Sequence, residues 1–158
     1  MILTNLHAFV VALMQYNDQK VALGRYNVDQ LDFNDDLIVL DELAASETGS
    51  GYTYDGDTEQ MTYQTAHKGV FTFDFYGTNA YTNAHKFKNL LKSQISFDLS
   101  SLYDFSIYHA SQTTNLKDVH GVTNYNRYQV EVTAIYYETY TESLLRIDTA
   151  QTEFNSSN

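Results

Sequence analysis

Residues 69–82 read GVFTFDFYGTNAYT. Phe71, Phe73 and Phe75 alternate with Val70, Thr72, Asp74 and Tyr76, and at Gly77 the alternation stops. Side chains two apart on a strand share a face, so the three phenylalanines predict a strand with one core-facing side. The following TNAYTNAHKFKNLLKSQ has another period. Ala80, Ala84, Phe87 and Leu91 fall at i, i+4, i+7 and i+11, and Leu90 widens the stripe, which is the spacing of an amphipathic helix. Gly77 supplies the backbone angles of a sharp reversal, and Thr78 or Asn79 a helix cap. Alanine at 80 and 84 lets the helix lie close to the phenylalanine face of the sheet.

Working outward, Leu6, Phe9, Val10 and Leu13 form one apolar stripe, which predicts a helix over Asn5 to Tyr16 capped by Thr4 or Asn5. Residues 17–35 are weakly patterned and read as a loop with a short strand near Val21 to Tyr26. DLIVLDELAAS, residues 36–46, is short and apolar and reads as a strand. ETGSGYTYDGDTEQ, residues 47–60, reads as an exposed loop or hairpin tip. A long strand is expected from Met61 to Tyr76, and another over residues 103–111. Towards the C-terminus, Tyr128, Val130, Val132, Ala134 and Tyr136 share one strand face and Gln129, Glu131 and Thr133 the other. Residues 144–154 are expected as an edge strand. Long strands with few helices define an α+β class: a mostly antiparallel sheet with helices packed on one face. A single domain is expected over residues 1–154, with 155–158 as a disordered tail.

The 158 residues are enough to bury one real core, and a chain that is 43% hydrophobic and 18% charged is globular in composition. The absence of cysteine excludes a disulfide framework, a thiolate metal site and a Cys nucleophile. A formal net charge of -11 is the wrong sign for holding nucleic acid by its phosphates. It does suit an acidic wall that DNA passes without sticking. The N-terminal apolar run, Ala8 to Met14, is too short for a membrane span and lacks a basic flank, so a soluble chain made in the cytoplasm is expected. Fourteen tyrosines and no tryptophan suit half-buried strands or protein interfaces.

Catalytic and metal-binding signatures are sparse. His7, His67, His85, His109 and His120 show no ligand spacing. Asp55, Asp57 and Glu59 stand two apart, as at the start of a calcium loop, but Gln60 and Ala66 occupy the positions where that loop needs glycine and an acid. Asp35–Asp36 and Asp41–Glu42 are adjacent pairs, which on a strand point to opposite faces. No nucleophile elbow, phosphate loop or dinucleotide fingerprint is found, and neither an enzyme activity nor a cofactor is expected.

The segment TAHKGVFTFDFYGTNAYTNAHKFKNLL resembles the centre of the neck or tail-terminator (tail completion) proteins of tailed bacteriophages. There an apolar alternating strand ends in a [FY]-G-x-x-A turn, here Phe75 to Ala80, followed by a helix with small residues inside, here Ala84. LKDVHGVTNYNRYQVEVTAIYYETYTE is similar to the family's next loop and strand, with Tyr125, Arg127 and Tyr128 at the strand opening. Residues 17–35 depart from the pattern. The resemblance implies a non-enzymatic virion protein: a hexameric ring that stops growth of the tail tube and faces the head connector. Its partners would be the tail tube, the connector proteins and its own copies, with DNA passing through unheld.

Within that frame, Tyr52 and Tyr54 stand out, because aromatics in a solvated loop have nothing to pack on. Two readings arise for residues 47–60. One is a two-stranded tip with cross-strand tyrosine pairs. The other is an arm, mobile in the free chain, which orders against a neighbouring subunit or the tail tube through Tyr52, Tyr54, Asp55, Asp57 and Glu59. A different function class also fits the tyrosines: a β module that binds carbohydrate or a cell-surface ligand.

Overall fold

The computed structural model describes residues 1–24, 31–116, 118–120 and 123–144. The expected strand over residues 144–154 and the tail at 155–158 lie, apart from Leu144, outside them. Helix α1 (Ile2–Met14) is followed by a 3₁₀ turn (Asp18–Lys20) and strand β1 (Val21–Leu23). Strands β2 (Leu37–Asp55) and β3 (Gln60–Tyr76) form one long hairpin. Helices α2 (Ala80–Leu90) and α3 (Gln94–Leu102) come next, then β4 (Phe105–Ala110) and the short β5 (Thr114–Asn115). Strands β6 (Asp118–His120) and β7 (Thr123–Tyr125) pair with each other, and β8 (Arg127–Ser143) follows.

The main sheet runs in the order β1-β2-β3-β8-β4, with β5 also on β8. Among the described strands β1 and β2 pair in parallel, and the other pairs in the sheet are antiparallel. The α+β class therefore holds. Phe71, Phe73 and Phe75 point to the helix side and are each at most 1% exposed. Paired across the sheet from them are Val132, Val130 and Tyr128 on β8. The stripe on α2 closes this core as its spacing predicts: Ala80, Ala84 and Phe87 are buried, and the Phe87 ring lies 4.8 Å from that of Phe73 and 5.4 Å from that of Phe75. Leu90 and Leu91 pack at its margin.

The strand-to-helix turn explains its glycine. Gly77 has a φ of +100°, and a Cβ there would meet the Asp35 carbonyl oxygen at 2.6 Å and the Asp36 Oδ1 at 2.7 Å. Asn79 is the N-cap residue, but its own side chain does not cap. Instead the Asn79 backbone N–H donates to Asp36 Oδ1 at 3.1 Å, and its side-chain amide donates to Asp36 Oδ2 at 2.9 Å. The cap is thus contributed by a residue 43 positions earlier, at the entry to β2.

Three expectations need correction. Helix α1 starts at Ile2, because Ile2 joins the buried stripe; Asn5 lies inside the helix and donates its side-chain amide to the Tyr103 carbonyl at 3.0 Å. The expected strand over 36–46 is the first half of β2, which continues to Asp55. Helix α3 is additional, and its pattern is inverted: Ser96 and Ser100 face inward while Ile95, Phe97 and Leu102 are exposed. A stripe of serines carries no apolar signal. Ser93 caps α3 by accepting the Ser96 N–H at 3.2 Å.

The opposite face of the sheet holds a smaller apolar cluster, Phe33, Leu37, Val39 and Tyr76. Beside it Asp74 is 2% exposed. Arg127 grips its carboxylate with two bonds, Nε to Oδ1 at 3.2 Å and Nη2 to Oδ2 at 3.0 Å, and Gln129 adds a third at 3.0 Å. A buried carboxylate needs this density of donors to offset its lost hydration.

Candidate functional site: a projecting three-stranded arm

The far halves of β2, β3 and β8 run beyond the helices. From Asp41 to Asp55 no residue of β2 is buried, whereas Leu37 to Leu40 all are. β8 changes likewise, from alternately buried up to Tyr136 to mostly exposed from Tyr137 on. The three strands keep pairing to the tip, where Asp55 meets Gln60 and Gln60 meets Ser143. The segment 47–60 is therefore strand and turn, in keeping with the two-stranded tip, with β8 added as a third strand.

The register decides what the arm displays. It shifts by one residue between Glu42 and Ala44 and again between Glu47 and Gly49. One such shift moves every later side chain to the other face, and a second restores the first. Tyr52 and Tyr54 consequently lie on the face of Ile38 and Leu40. Tyr52 pairs with Tyr63, Tyr63 pairs with Tyr140, and Tyr54 pairs with Met61. Four tyrosines from three strands share one surface, with exposures of 76% for Tyr52, 41% for Tyr54, 37% for Tyr63 and 64% for Tyr140. The sequence reading named Tyr52 and Tyr54 and missed Tyr63 and Tyr140. Their signal was available: odd positions from Met61 to Phe75 share a face, as do even positions from Tyr128 to Glu142.

The side chains are held in place. The Tyr63 hydroxyl donates to Glu142 Oε1 at 2.7 Å, and that bond raises the Tyr63 pKa above the ordinary phenol value. The Tyr63 and Tyr140 rings lie 6.2 Å apart. Nearer the body, His67 stacks on Tyr136 at 5.3 Å and approaches Glu138 at 3.5 Å. Burial first, then Glu42 and Glu138, raise the Tyr136 pKa. A groove of about 520 Å³ lies where the arm leaves the body, between Met1, Asn5 and Asp104 on one side and Tyr63, Tyr136 and Tyr140 on the other.

The acidic candidates sit at the tip. Asp55 Oδ1 accepts the Asp57 N–H at 2.9 Å, and this bond, with a further one from Thr58, holds the Asp55 carboxyl below its usual pKa. Glu59 takes a left-handed φ of 51° to complete the turn. Asp55, Asp57 and Glu59 thus build a hairpin turn, and Asp55 already spends its carboxylate on that turn. Among the described residues no three His, Asp or Glu side chains converge to hold a metal ion.

Taken together, the molecule is an α+β fold that carries an exposed polar-aromatic face on a projecting sheet. The chain belongs to the phage neck terminator protein family, whose model matches residues 2–158. No curated protein matches the sequence. Membership assigns a structural role in the neck of the virion, alongside other head and tail proteins. Among the described residues no helix is long and apolar enough to cross a membrane.

Proposed function

We propose that copies of this chain form a closed six-membered ring that ends the tail tube and joins it to the head connector, without enzymatic activity. The observation that carries this is the exposed arm of β2, β3 and β8 on a member of the neck terminator family. A rigid sheet projecting from a compact body presents amphipathic side chains far from its own core, as assembly with neighbours requires. Tyrosine suits that role, because it offers large contact area at little conformational cost and tolerates water when unbound. Tyr52 and Tyr54, with Asp55, Asp57 and Glu59 at the tip, are the docking residues in this reading. The net charge of -11 lets DNA cross the ring without being retained.

Genetic removal of the chain from its phage tests the reading. The expected products are DNA-filled heads separated from tails, and tails without a capped upper end. Joined, infectious particles of normal form would overturn it.

A further inference from the structure

The arm is uniformly acidic. Residues 44–67 and 136–143 contain Glu47, Asp55, Asp57, Glu59, Glu138 and Glu142 and no Lys or Arg. The reciprocal surface is on α2. Three of the chain's nine Lys and Arg residues, Lys86 and Lys88 on α2 and Lys92 just after it, lie within seven positions. None of the three forms an ion pair with a described residue. Tyr81, His85 and Lys88 recur at helical spacing, and the Tyr81 ring lies 4.3 Å from that of His85. Tyr81, His85, Lys86 and Leu90 line a shallow groove of about 580 Å³. Just beyond Lys92, α3 exposes Ile95 at 58% and Phe97 at 68%. The α2 groove is therefore basic and aromatic, with exposed apolar residues close by in sequence on α3, in a protein that is otherwise strongly acidic.

We propose that the occupant of the α2 groove is the arm of a second copy of this chain. This deepens the ring reading above and rests on it. The two surfaces cannot meet within one molecule. The Tyr81 ring touches that of Tyr128, 5.4 Å away, at the start of β8. Tyr140 lies twelve residues further along the same strand, roughly 40 Å away at about 3.3 Å per residue. Complementary but separated patches produce head-to-tail contacts, which close into a ring when the rotation allows. Pairing of two arms face to face is disfavoured, since it would set Glu138 and Glu142 against their own copies. The acids of the arm and the lysines of α2 instead attract, and Tyr52 and Tyr54 gain Ile95 and Phe97 as apolar neighbours.

A charge exchange tests this. One variant carries Lys86→Glu and Lys92→Glu, and the other Asp57→Lys and Glu59→Lys; Lys86, Lys92 and Asp57 are exposed and Glu59 is half-buried. Circular dichroism first confirms that both fold. Native mass spectrometry of the parent, with and without purified tails, then reads self-assembly. Each variant alone is expected to weaken self-association at least about thirtyfold. Mixed in equal amounts, they should assemble again, because each arm then meets a groove of opposite charge. Either variant assembling like the parent, or a folded mixture that stays monomeric, overturns the arm-to-α2 contact while leaving the ring intact. A parent that remains a single chain in both conditions overturns the ring itself.

Discussion

Asp36 caps helix α2 from across the sheet, its two carboxylate oxygens accepting the backbone and side-chain N–H groups of Asn79 at 3.1 and 2.9 Å. The helix N-terminus leaves backbone donors unpaired and carries a partial positive charge, so a carboxylate there is doubly favourable. The same contact ties the entry of β2 to the exit of β3. Asp36→Ala should cost about 1–2 kcal/mol in urea unfolding. Asn79→Ala should cost less, because the backbone donor survives. Equal, negligible losses would mean that the cap does not hold the turn.

Ala84 is fully buried where α2 crosses the sheet. Ala84→Glu must place a carboxylate against Phe-lined core with no donor in reach. A loss of several kcal/mol is expected, enough to unfold a marginal domain. A variant that melts with the parent would show α2 to be detached from the sheet.

Arg127 and Asp74 form a buried fork on the other face. Arg127→Met removes the fork and should destabilise by about 3–5 kcal/mol. Adding Asp74→Leu should return part of that loss, since an apolar pair of similar volume needs no donors. Chemical denaturation of the two single variants and the double variant gives the coupling. An unchanged or larger loss in the double variant would show that Asp74 is held mainly by other groups.

Burial, then Asp36 and Asp35, push the Tyr16 phenol up from 10.0 to about 12. A raised folded-state pKa contributes stability that is complete below the unfolded value of 10.0 and is lost as the pH rises through about 12. Tyr16→Phe removes the titration and leaves the ring. The melting temperature of the parent should therefore fall relative to Tyr16→Phe between about pH 10 and about pH 12. A constant difference across that window would place the phenol in water.

The phenylalanine alternation, Gly77 and the Ala80–Ala84 stripe were legible in sequence because each is a local pattern with one physical reading. Helix α3 was not, since its buried positions are Ser96 and Ser100 while Ile95, Phe97 and Leu102 face solvent. The arm was half legible. Gly49 and Gly51 suggest a loop, and the register shifts near Leu43 and Thr48 break the two-residue period twice. The common face of Tyr52, Tyr63 and Tyr140 depends on the pairing of Tyr63 with Tyr140, 77 positions apart by the numbering, and no local pattern records that.

The arm separates folding from assembly. Its outer residues are exposed, its strands pair mainly with one another, and Gly49 stands opposite Ala66 with no side chain to pack. Replacing Ser50 to Thr65 by Asn-Gly would join Gly49 to Ala66 through a two-residue turn of the kind that suits antiparallel strands. The body retains α1, α2, Phe71, Phe73, Phe75 and their partners on β8. Its melting temperature should shift by only a few degrees, on the order of a loss of about 1 kcal/mol. The end of β8 loses its partner strand in this variant, and the exposed row of backbone groups is a pairing hazard. Ending the chain after Tyr137 in a companion variant removes that hazard and with it Glu138, Tyr140 and Glu142. Both shortened proteins should remain folded, and neither should assemble in native mass spectrometry or join tails to heads. Normal assembly by either would remove the arm from the interface. Failure of both to fold would show that the arm is part of the structural core.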